Sequence, residues 1–437
     1  MSAAGAGDKP AKPSVWKAFT QPAAWTMFFF GFSSGLPFLL VAGTLAYWLK
    51  DNGIELKEIT VIASAGMTYA LKFLWAPLLD HTRLPLLSRL GQRRSWLLLA
   101  QLGVVVGLLA MAVATPVQLA AFIACTLLVA FAGATQDIAV DAYRIEIAPP
   151  SAQGALVATY SLGYRIALIV TGAFALFMAD RMPWARVYQV MALLMLAPIV
   201  VTLVAREPDV LRTRPASWSQ WMSESVADPF ADFFRRYGWQ TALLTLLFIL
   251  LFKIPEQALV GGIMSPFYID MGFTKTQIGA ITKIYGIWMG IVGVFLGGVA
   301  IARYGVRRPL LASIVLCASC NLLYVWLIGQ HGSLAALTLV ISAENLTLGF
   351  LGTAAVAFLS SLVNRQHTAT QYALLSSMVN LPGKVLGVFA GSIVEATGYG
   401  SYFVIATLAV LPATALLLYL WPRFRGADAT RLPAASG

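Results

Sequence analysis

The sequence predicts an all-α membrane protein of about twelve transmembrane helices, on the basis of its composition, its hydropathy and its length. Of the 437 residues, 59% are hydrophobic and only 11% are charged, far less charge than a soluble domain needs to cover its surface. The mean hydropathy is +0.76. Because a bilayer core about 30 Å thick requires roughly 20 apolar residues per helical span, the chain has room for about twelve spans with short loops.

The predicted spans fall into two groups of six, separated by a polar stretch. Apolar windows place the first group at 24–48, 59–79, 95–115, 117–143, 153–178 and 185–205. The second group follows at 239–268, 276–302, 308–328, 334–362, 369–396 and 400–422. We therefore expect an N-terminal six-helix bundle over 1–205, a cytoplasmic linker over 206–238, and a C-terminal six-helix bundle with a short cytoplasmic tail over 239–437.

The net charge of +11 is distributed unevenly between the two sides of the predicted bundle. With the N terminus inside, most loop lysines and arginines fall on the cytoplasmic side, and the opposite side holds only Lys50, Lys57, Arg181, Arg186 and Lys275. Cytoplasmic loops of membrane proteins carry such an excess of cations. The bias predicts that both termini are cytoplasmic, and it explains the basic composition without a nucleic-acid partner.

The two groups of spans repeat one another. Four charged features recur at offsets that differ by only a few residues: Arg93–Arg94 as Arg307–Arg308, Lys72 as Lys283, Asp137 as Glu344, and Arg165 as Lys384. Internal duplication of this kind is typical of secondary transporters, in which two halves move around a site between them. We therefore expect two pseudo-symmetric halves with a central site.

Charged residues within the predicted spans are candidates for that site. A charge near the bilayer centre costs about 2.5–3.5 kcal/mol on insertion scales unless it is paired or faces a water-filled cavity. Four cations lie near the predicted midplane: Lys72, Arg165, Lys253 and Lys384. Salt bridges between helices explain some intramembrane charges. Asp141 and Arg144, three residues apart on one helix face, are expected to form such a structural pair in an inner gate.

Three intramembrane carboxylates are candidates for proton coupling, namely Asp137, Glu256 and Glu344. Burial favours the protonated form of a carboxylate and a nearby cation favours the charged form, so a site with both can alternate between them. Glu256 follows Pro255, which removes a backbone hydrogen bond and predicts a kink. Glu344 is favoured because it lies near the predicted midplane beside Asn345, a plausible ligand-binding amide.

The sequence contains no recognisable catalytic or metal-binding constellation. The three histidines, His81, His331 and His367, fall in or near predicted loops and do not cluster. Cys317 and Cys320 form a single C-x-x-C motif without a second pair. We therefore predict neither an enzyme nor a metal site.

Seven segments of the chain contain motifs that are uncommon in other transporters of the facilitator type. They are Gly31–Leu49, Tyr69–Asp80, Arg93–Trp96, Ala134–Asp141, Leu162–Arg165, Glu344–Asn345 and Thr370–Ser376. Together they resemble the AmpG-type muropeptide permeases of the major facilitator superfamily. The likeness runs through most of the chain and is denser in its first half. The resemblance implies a major facilitator fold, in which Asp80, Arg93 and Arg94 are similar to the superfamily's inner gating motif.

The resemblance also implies a function, the proton-coupled import of anhydromuropeptides from the periplasm across the bacterial inner membrane. These sugar-peptide fragments of the cell wall carry carboxylates that would meet the four midplane cations. Their hydroxyls and amides would meet neutral polar side chains, for which the candidates are Gln136, Tyr164, Asn345, Gln371 and Asn380. The expected partners are this substrate, protons and membrane lipid, with a monomeric protein and no cofactor beyond the proton gradient.

Other functions remain open from the sequence. Some AmpG-type permeases continue for two further spans, whereas this chain ends in a polar tail at Gly437. The wider family includes acetyl-CoA transporters, and another anionic solute of that kind would suit the same basic cavity. An export substrate and a membrane receptor that does not transport are further alternatives.

Overall fold

The computed structural model describes residues 20–41, 43–54, 62, 64–114, 116, 118–149, 152–209, 228–257 and 263–429. Within these ranges the regular secondary structure is helical and there is no strand. The prediction of an all-α fold is therefore confirmed.

The described residues of the N-terminal half form five long spans and several short helical segments. The α-helices are α1 (Pro22–Leu40), α2 (Gly43–Asp51), α3 (Thr68–Leu71), α4 (Ala76–His81), α5 (Gln92–Ala114), α6 (Leu119–Ile147), α7 (Gln153–Ile169), α8 (Ala175–Ala179), α9 (Trp184–Leu194) and α10 (Leu196–Val204). Short 3-10 turns occupy Ser64–Met67, Lys72–Leu74 and Pro85–Leu90, and a π-helical turn at Val170–Phe174 joins α7 to α8.

The C-terminal half follows a short amphipathic helix of the linker, α11 (Asp228–Tyr237). Its helices are α12 (Trp239–Leu251), α13 (Ile254–Gln257), α14 (Met264–Asp270), α15 (Lys275–Ile278), α16 (Gly286–Tyr304), α17 (Arg307–Ile328), α18 (Leu334–Leu362), α19 (Thr368–Leu408) and α20 (Val410–Ala429). A π-helical turn at Gly279–Tyr285 joins α15 to α16, and a 3-10 turn at Arg365–His367 precedes α19.

Ten helices of the described ranges are long and apolar enough to cross a membrane. The predicted second span, 59–79, is not among them, because the described part of it consists of short α and 3-10 segments. The predicted eleventh and twelfth spans run together in α19 and α20, but α19 is broken at Gly398, whose φ of 77° is not helical. Glycine adopts such a backbone without steric cost, so this break separates the two spans near the predicted boundary.

Glycines bring pairs of spans into backbone contact and so position the polar residues described below. A Cβ added at Gly31 of α1 would lie 1.9 Å from the carbonyl oxygen of Tyr160 in α7. A Cβ added at Gly293 of α16 would lie 2.0 Å from the carbonyl oxygen of Leu346 in α18. Such small-residue contacts are a common basis of helix packing in membranes. They fix α7 against α1 and α18 against α16.

One end of the bundle carries a concentration of arginines, and we call it the basic end. It includes Arg93 and Arg94 at the start of α5 and Arg307 and Arg308 at the start of α17. The two halves meet there, since Arg365 Nη2 donates to the carbonyl oxygen of Ala148 at 3.3 Å.

Candidate functional site

At the basic end, a buried ion-pair network joins three segments of the N-terminal half. Arg93 is fully buried. Its Nη2 lies 2.6 Å from Asp80 Oδ1 and 2.7 Å from Glu146 Oε1, and its Nη1 donates to the carbonyl oxygen of Leu79. Removing one charged member of such a network leaves another charge buried without a partner. Arg93 therefore holds α4, α5 and the end of α6 together.

Asp80 also connects the two halves of the protein. Its carboxylate accepts hydrogen bonds from the backbone N–H groups of Ala369 at 3.1 Å and Thr370 at 2.9 Å, and from Thr370 Oγ1 at 2.9 Å. These groups form the first turn of α19, where unpaired N–H groups and the helix dipole favour an anion. The contact joins the two halves at the basic end.

Arg144 makes a second contact between the halves. Its side chain is fully buried, with Nη1 2.9 Å from Ser360 Oγ of α18 and the guanidinium 5.3 Å from the ring centre of Tyr372 in α19. Its Nη2 lies 3.3 Å from Asp141 Oδ1, as expected for the pair that the sequence suggested. Arg144 and Asp80 thus reach the C-terminal half from different helices, and we call these contacts, with that of Arg365, the gate.

Arg94 does not take part in these contacts. Its Nε donates to the carbonyl oxygen of Thr202 at 2.8 Å and its Nη2 to that of Leu203, at the end of α10. The carboxylate of Glu207 accepts from the backbone N–H groups of Arg93 and Arg94. Burial raises the pKa of Glu207 above its usual range, and these N–H groups act in the opposite direction. In the described residues the Arg94 side chain therefore bonds within the N-terminal half, and its gating role stays a prediction.

Near mid-depth, the N-terminal half contains a polar cluster with few internal bonds. Lys72 Nζ lies 3.6 Å from Asp141 Oδ2. Asp137 is one helical turn further from the basic end than Asp141 and lies within electrostatic range of Lys72, Tyr69 and Tyr164. We call this group, with Ser34, Gln136 and Arg165, the central cluster.

Several buried polar atoms of the central cluster lack a hydrogen-bond partner among the described residues. They are Ser34 Oγ, Tyr69 Oη, Asp137 Oδ1 and both amide atoms of Gln136. In folded proteins the great majority of buried polar atoms are hydrogen-bonded to protein or ordered water. So many unsatisfied atoms in one region indicate a place for a polar ligand or for water.

Arg165 of α7 supplies a positive charge at the interface with the C-terminal half. It is partly buried, and within the described ranges it has neither a hydrogen bond nor an ion pair. A Cβ added at Gly290 of α16 would lie 2.3 Å from Arg165 Nη1. The guanidinium therefore extends from α7 across to the C-terminal half, and it fits only because position 290 has no side chain. An anion between the halves would be the natural partner of this group.

The C-terminal half arranges its charges differently. Lys253 Nζ lies 3.1 Å from Glu256 Oε2, a pair within one kinked segment. Glu344 Oε2 accepts a hydrogen bond of 2.5 Å from Tyr324 Oη. Tyr324 Oη also lies 3.0 Å from Tyr268 Oη. All three of the predicted proton carriers lie inside the spans, and of them Glu344 is the one that joins an extended hydrogen-bond chain in the described residues.

The remaining predicted ligand-binding residues divide into two groups. Asn345 follows Glu344 in α18, and its side chain faces α16. A Cβ added at Gly286 of α16 would lie 2.9 Å from Asn345 Nδ2. Asn380 is exposed on α19, with its Nδ2 bonded to the carbonyl oxygen of Ser376. Lys384 also lies on α19, and its side chain is outside the described residues.

The structure places Gln371 away from the central cluster. At the start of α19, its Nε2 donates to the carbonyl oxygen of Pro229 at 2.8 Å and to Asp232 Oδ2 at 3.0 Å. Its Oε1 accepts from the backbone N–H of Asn364 at 2.7 Å. The amide is therefore hydrogen-bonded on both sides in attaching the linker helix α11, and in this arrangement of the helices it is not available to a ligand.

The sequence analysis missed several residues of the gate and of the hydrogen-bond chain. Glu146 was outside the predicted fourth span, which ended at 143, whereas α6 continues to Ile147. A search of the helix extension for charges would have found it. Nothing in the sequence pattern distinguished Tyr268 and Tyr324, because uncharged tyrosines are common in membrane spans.

The comparison with known families agrees with this architecture. The sequence profile of the Major Facilitator Superfamily matches residues 23–260 and again residues 246–434, and so matches each half once. A putative transporter, AmpG 4 of Rickettsia conorii, is 36% identical over 411 residues, which cover 93% of this chain and 98% of the relative. The chain belongs to the AmpG-type permeases of the major facilitator superfamily. The resemblance of its motifs to that family is thereby confirmed.

Two further comparisons extend this result. The anhydromuropeptide permease of Escherichia coli (strain K12) is 35% identical over 406 residues, covering 92% of this chain and 80% of the relative. The proton:xylose symporter XylE has a TM-score of 0.65 at 12% identity, covering 92% of this chain and 94% of that one. At this identity the second comparison shows the fold alone. The protein is a multi-pass membrane transporter with the major facilitator fold.

Proposed function

We propose that this transporter imports anhydromuropeptides from the periplasm into the cytoplasm together with protons. The observation that carries the proposal is the central cluster, in which Arg165 and several buried polar atoms have no partner in the described part of the protein. A sugar-peptide fragment offers both kinds of group that the cluster needs. Its peptide carboxylate would pair with Arg165, and its hydroxyls and amides would pair with Gln136, Tyr69 and Ser34.

The relatives support this choice of substrate. The Escherichia coli relative is named for anhydromuropeptides, and its similarity extends over nearly all of this chain. The same ligand chemistry suits the residues at mid-depth on the other side of the interface, Lys253 and Asn345. We propose that these residues, with Lys72 and the Lys384 position, complete the binding site, and that transport involves no catalytic step and no cofactor.

Orientation and energy coupling form part of the proposal. Because cytoplasmic loops are rich in lysine and arginine, we propose that the basic end faces the cytoplasm of a bacterial inner membrane, with both termini on that side. The gate at this end is closed by Asp80 and Arg144, so the central cluster would exchange ligand with the periplasm in this conformation. We propose Glu344 as the main proton carrier and a monomer as the functional unit.

Uptake by proteoliposomes tests the proposal. Purified protein is reconstituted and supplied with a labelled anhydromuropeptide, with the lumen alkaline relative to the outside. We expect accumulation above the external concentration, its loss on addition of a protonophore, and its loss in Arg165→Gln. Arg181→Gln is the matched control, because Arg181 is exposed near the end of the same helical span.

The same assay separates the alternatives. Accumulation of labelled acetyl-CoA without accumulation of labelled anhydromuropeptide would assign another anionic solute. Binding without counterflow of label would indicate a receptor, and counterflow without accumulation would contradict proton coupling. Normal uptake by Arg165→Gln would refute the assignment of the central cation.

A further inference from the structure

A chain of hydrogen bonds leads from the end of the C-terminal half opposite the basic end to a carboxylate at mid-depth. Tyr268 Oη and Tyr324 Oη are 3.0 Å apart, and Tyr324 Oη donates to Glu344 Oε2 at 2.5 Å. The three side chains come from three different helices, α14, α17 and α18. The contacts are therefore tertiary and do not follow from the geometry of one helix.

Aromatic side chains enclose the chain. Tyr324 is fully buried, whereas Tyr268 keeps 6% of its surface exposed. The ring of Tyr324 lies between those of Phe267 and Phe403, with ring centres 5.9 Å and 5.2 Å away. In the described residues the two hydroxyls are hydrogen-bonded to each other and to Glu344.

The chain runs from near the end of α14 toward the middle of α18. Tyr268 lies two residues before the end of α14 at Asp270, which is exposed. The backbone N–H of Gly332 donates to the carbonyl oxygen of Met271, so α14 ends where α18 begins. Glu344 is ten residues into α18, or about 15 Å along the helix.

We propose that Tyr268 and Tyr324 are positioning residues that relay protons to Glu344 from the end opposite the basic end. The proposal rests on the proposed proton coupling and adds the route. Tyr324 gives its hydroxyl proton to the Glu344 carboxylate and receives one from Tyr268. Tyr268 in turn receives one from the aqueous side. One proton enters, Glu344 becomes neutral, and both tyrosines end as they began.

Other titratable groups near this route do not replace it. The thiols of Cys317 and Cys320 lie within electrostatic range of Glu344 on the same helix as Tyr324. Cys320 Sγ is occupied by Thr347 Oγ1 at 3.4 Å. Lys253 and Glu256 face Cys317 and are paired with each other. Of these groups, only Tyr324 is hydrogen-bonded to the Glu344 carboxylate in the described residues.

Two single-atom deletions, Tyr324→Phe and Tyr268→Phe, test the relay. Each variant keeps the aromatic ring and removes one hydroxyl of the chain. Tyr188→Phe is the matched control, because its buried hydroxyl is bonded to the carbonyl oxygen of Leu40 in the other half. Each variant is reconstituted with a labelled anhydromuropeptide and measured in two ways: uptake driven by a pH gradient, and exchange at equal concentrations without a gradient.

We expect gradient-driven uptake to fall by about a hundredfold in both relay variants, the lower range of what a positioned proton-transfer group contributes. Exchange should stay close to that of the parent, as should both activities of Tyr188→Phe. A purely structural role for Tyr324 would lower uptake and exchange together. If Tyr324→Phe does not fold, Tyr268→Phe still tests the route, because it leaves the bond between Tyr324 and Glu344 in place.

The failure of the relay can be told apart from the failure of the proposed function. If the parent accumulates substrate with the gradient and both relay variants do the same, the relay is refuted while proton-coupled import stands. The same holds if Glu344→Gln keeps gradient-driven uptake, since Glu344 is then not the acceptor. If the parent shows no gradient-driven uptake, the proposed proton coupling itself fails.

Discussion

The gate and the central cluster differ in how completely their buried polar groups are hydrogen-bonded. At the gate, the carboxylate of Asp80 has four donors, from Arg93, Ala369 and Thr370. In the central cluster, the amide of Gln136 and Oδ1 of Asp137 have none among the described residues. A buried polar group that is satisfied stabilises one arrangement of the helices, whereas one that is not satisfied lowers stability until something binds it.

This difference assigns distinct roles to residues of similar type and burial. Substitutions at the gate should lower stability or change which end is open, and affect ligand affinity only indirectly. Substitutions of unsatisfied polar groups in the central cluster should weaken ligand binding and leave the free energy of unfolding unchanged or raised. The predictions below test each side of this comparison.

The largest effect is expected for Arg93→Gln. The substitution leaves the carboxylates of Asp80 and Glu146 buried beside each other without their shared cation. Breaking a buried ion pair in this way costs about 3–5 kcal/mol, so the free energy of unfolding in mild detergent should fall by that order. Arg89→Gln, at an exposed position, is the control. Equal denaturation midpoints for the two variants would contradict the structural role of the network.

An intermediate effect is expected for Gly290→Ala, which adds a methyl group where the Arg165 guanidinium lies. Displacing that group removes about one charge-assisted hydrogen bond to an anionic ligand, worth about 1.5–3 kcal/mol. Calorimetric titration with an anhydromuropeptide should therefore show a loss of roughly tenfold to a hundredfold in affinity. Gly352→Ala is the control, since its Cβ would enter open space. An unchanged affinity in Gly290→Ala would place the anion site elsewhere.

The smallest effect concerns the pH dependence of the gate. The rings of His81 and His367 lie 5.9 Å apart across it. Burial lowers the pKa of His367, and the nearby His81 lowers it further. The carboxylates of Asp80, Asp228 and Asp232 act in the opposite direction. Since His367 is more easily protonated when exposed, the closed gate should be fully stable above about pH 6.5 and weaken as the pH falls below that value.

Labelling of a cysteine introduced at Ala373, which is buried in the closed basic end, measures this opening. The rate of labelling from that side should rise on acidification in the parent. In His367→Gln the rise should be smaller, and an identical pH profile in the two proteins would exclude His367 as its source.

The fold was predictable because a bilayer imposes a length and a polarity on each span. Most spans lie close to their predicted positions, for example α18 at Leu334–Leu362 against the prediction of 334–362. The predicted second span, 59–79, lies partly outside the described residues, and its described part is divided into short segments. Hydropathy reports only that a segment is apolar, whereas the short turns between Ser64 and His81 depend on packing against other helices.

From the sequence, only the charged residues of the site could be predicted. Arg165 and Glu344 could be chosen because a charge in an apolar span needs an explanation. Gln371 was predicted to bind ligand, whereas the structure bonds its amide to α11, a linker helix whose position the sequence does not indicate. Tyr324 was not predicted, because its hydroxyl is distinguished only by its hydrogen bonds to two residues that are distant in the sequence, Tyr268 and Glu344.

The most direct test of the central claim compares one substitution at two buried glutamines, Gln136→Leu and Gln371→Leu. The two residues are 0% and 4% exposed, but in the described part of the protein only the Gln371 side chain is hydrogen-bonded. The account predicts that Gln371→Leu lowers the free energy of unfolding by about 1–3 kcal/mol and keeps muropeptide affinity. Gln136→Leu should keep or raise that free energy and lose affinity. Equal losses of stability in both variants, or unchanged affinity in Gln136→Leu, would contradict it.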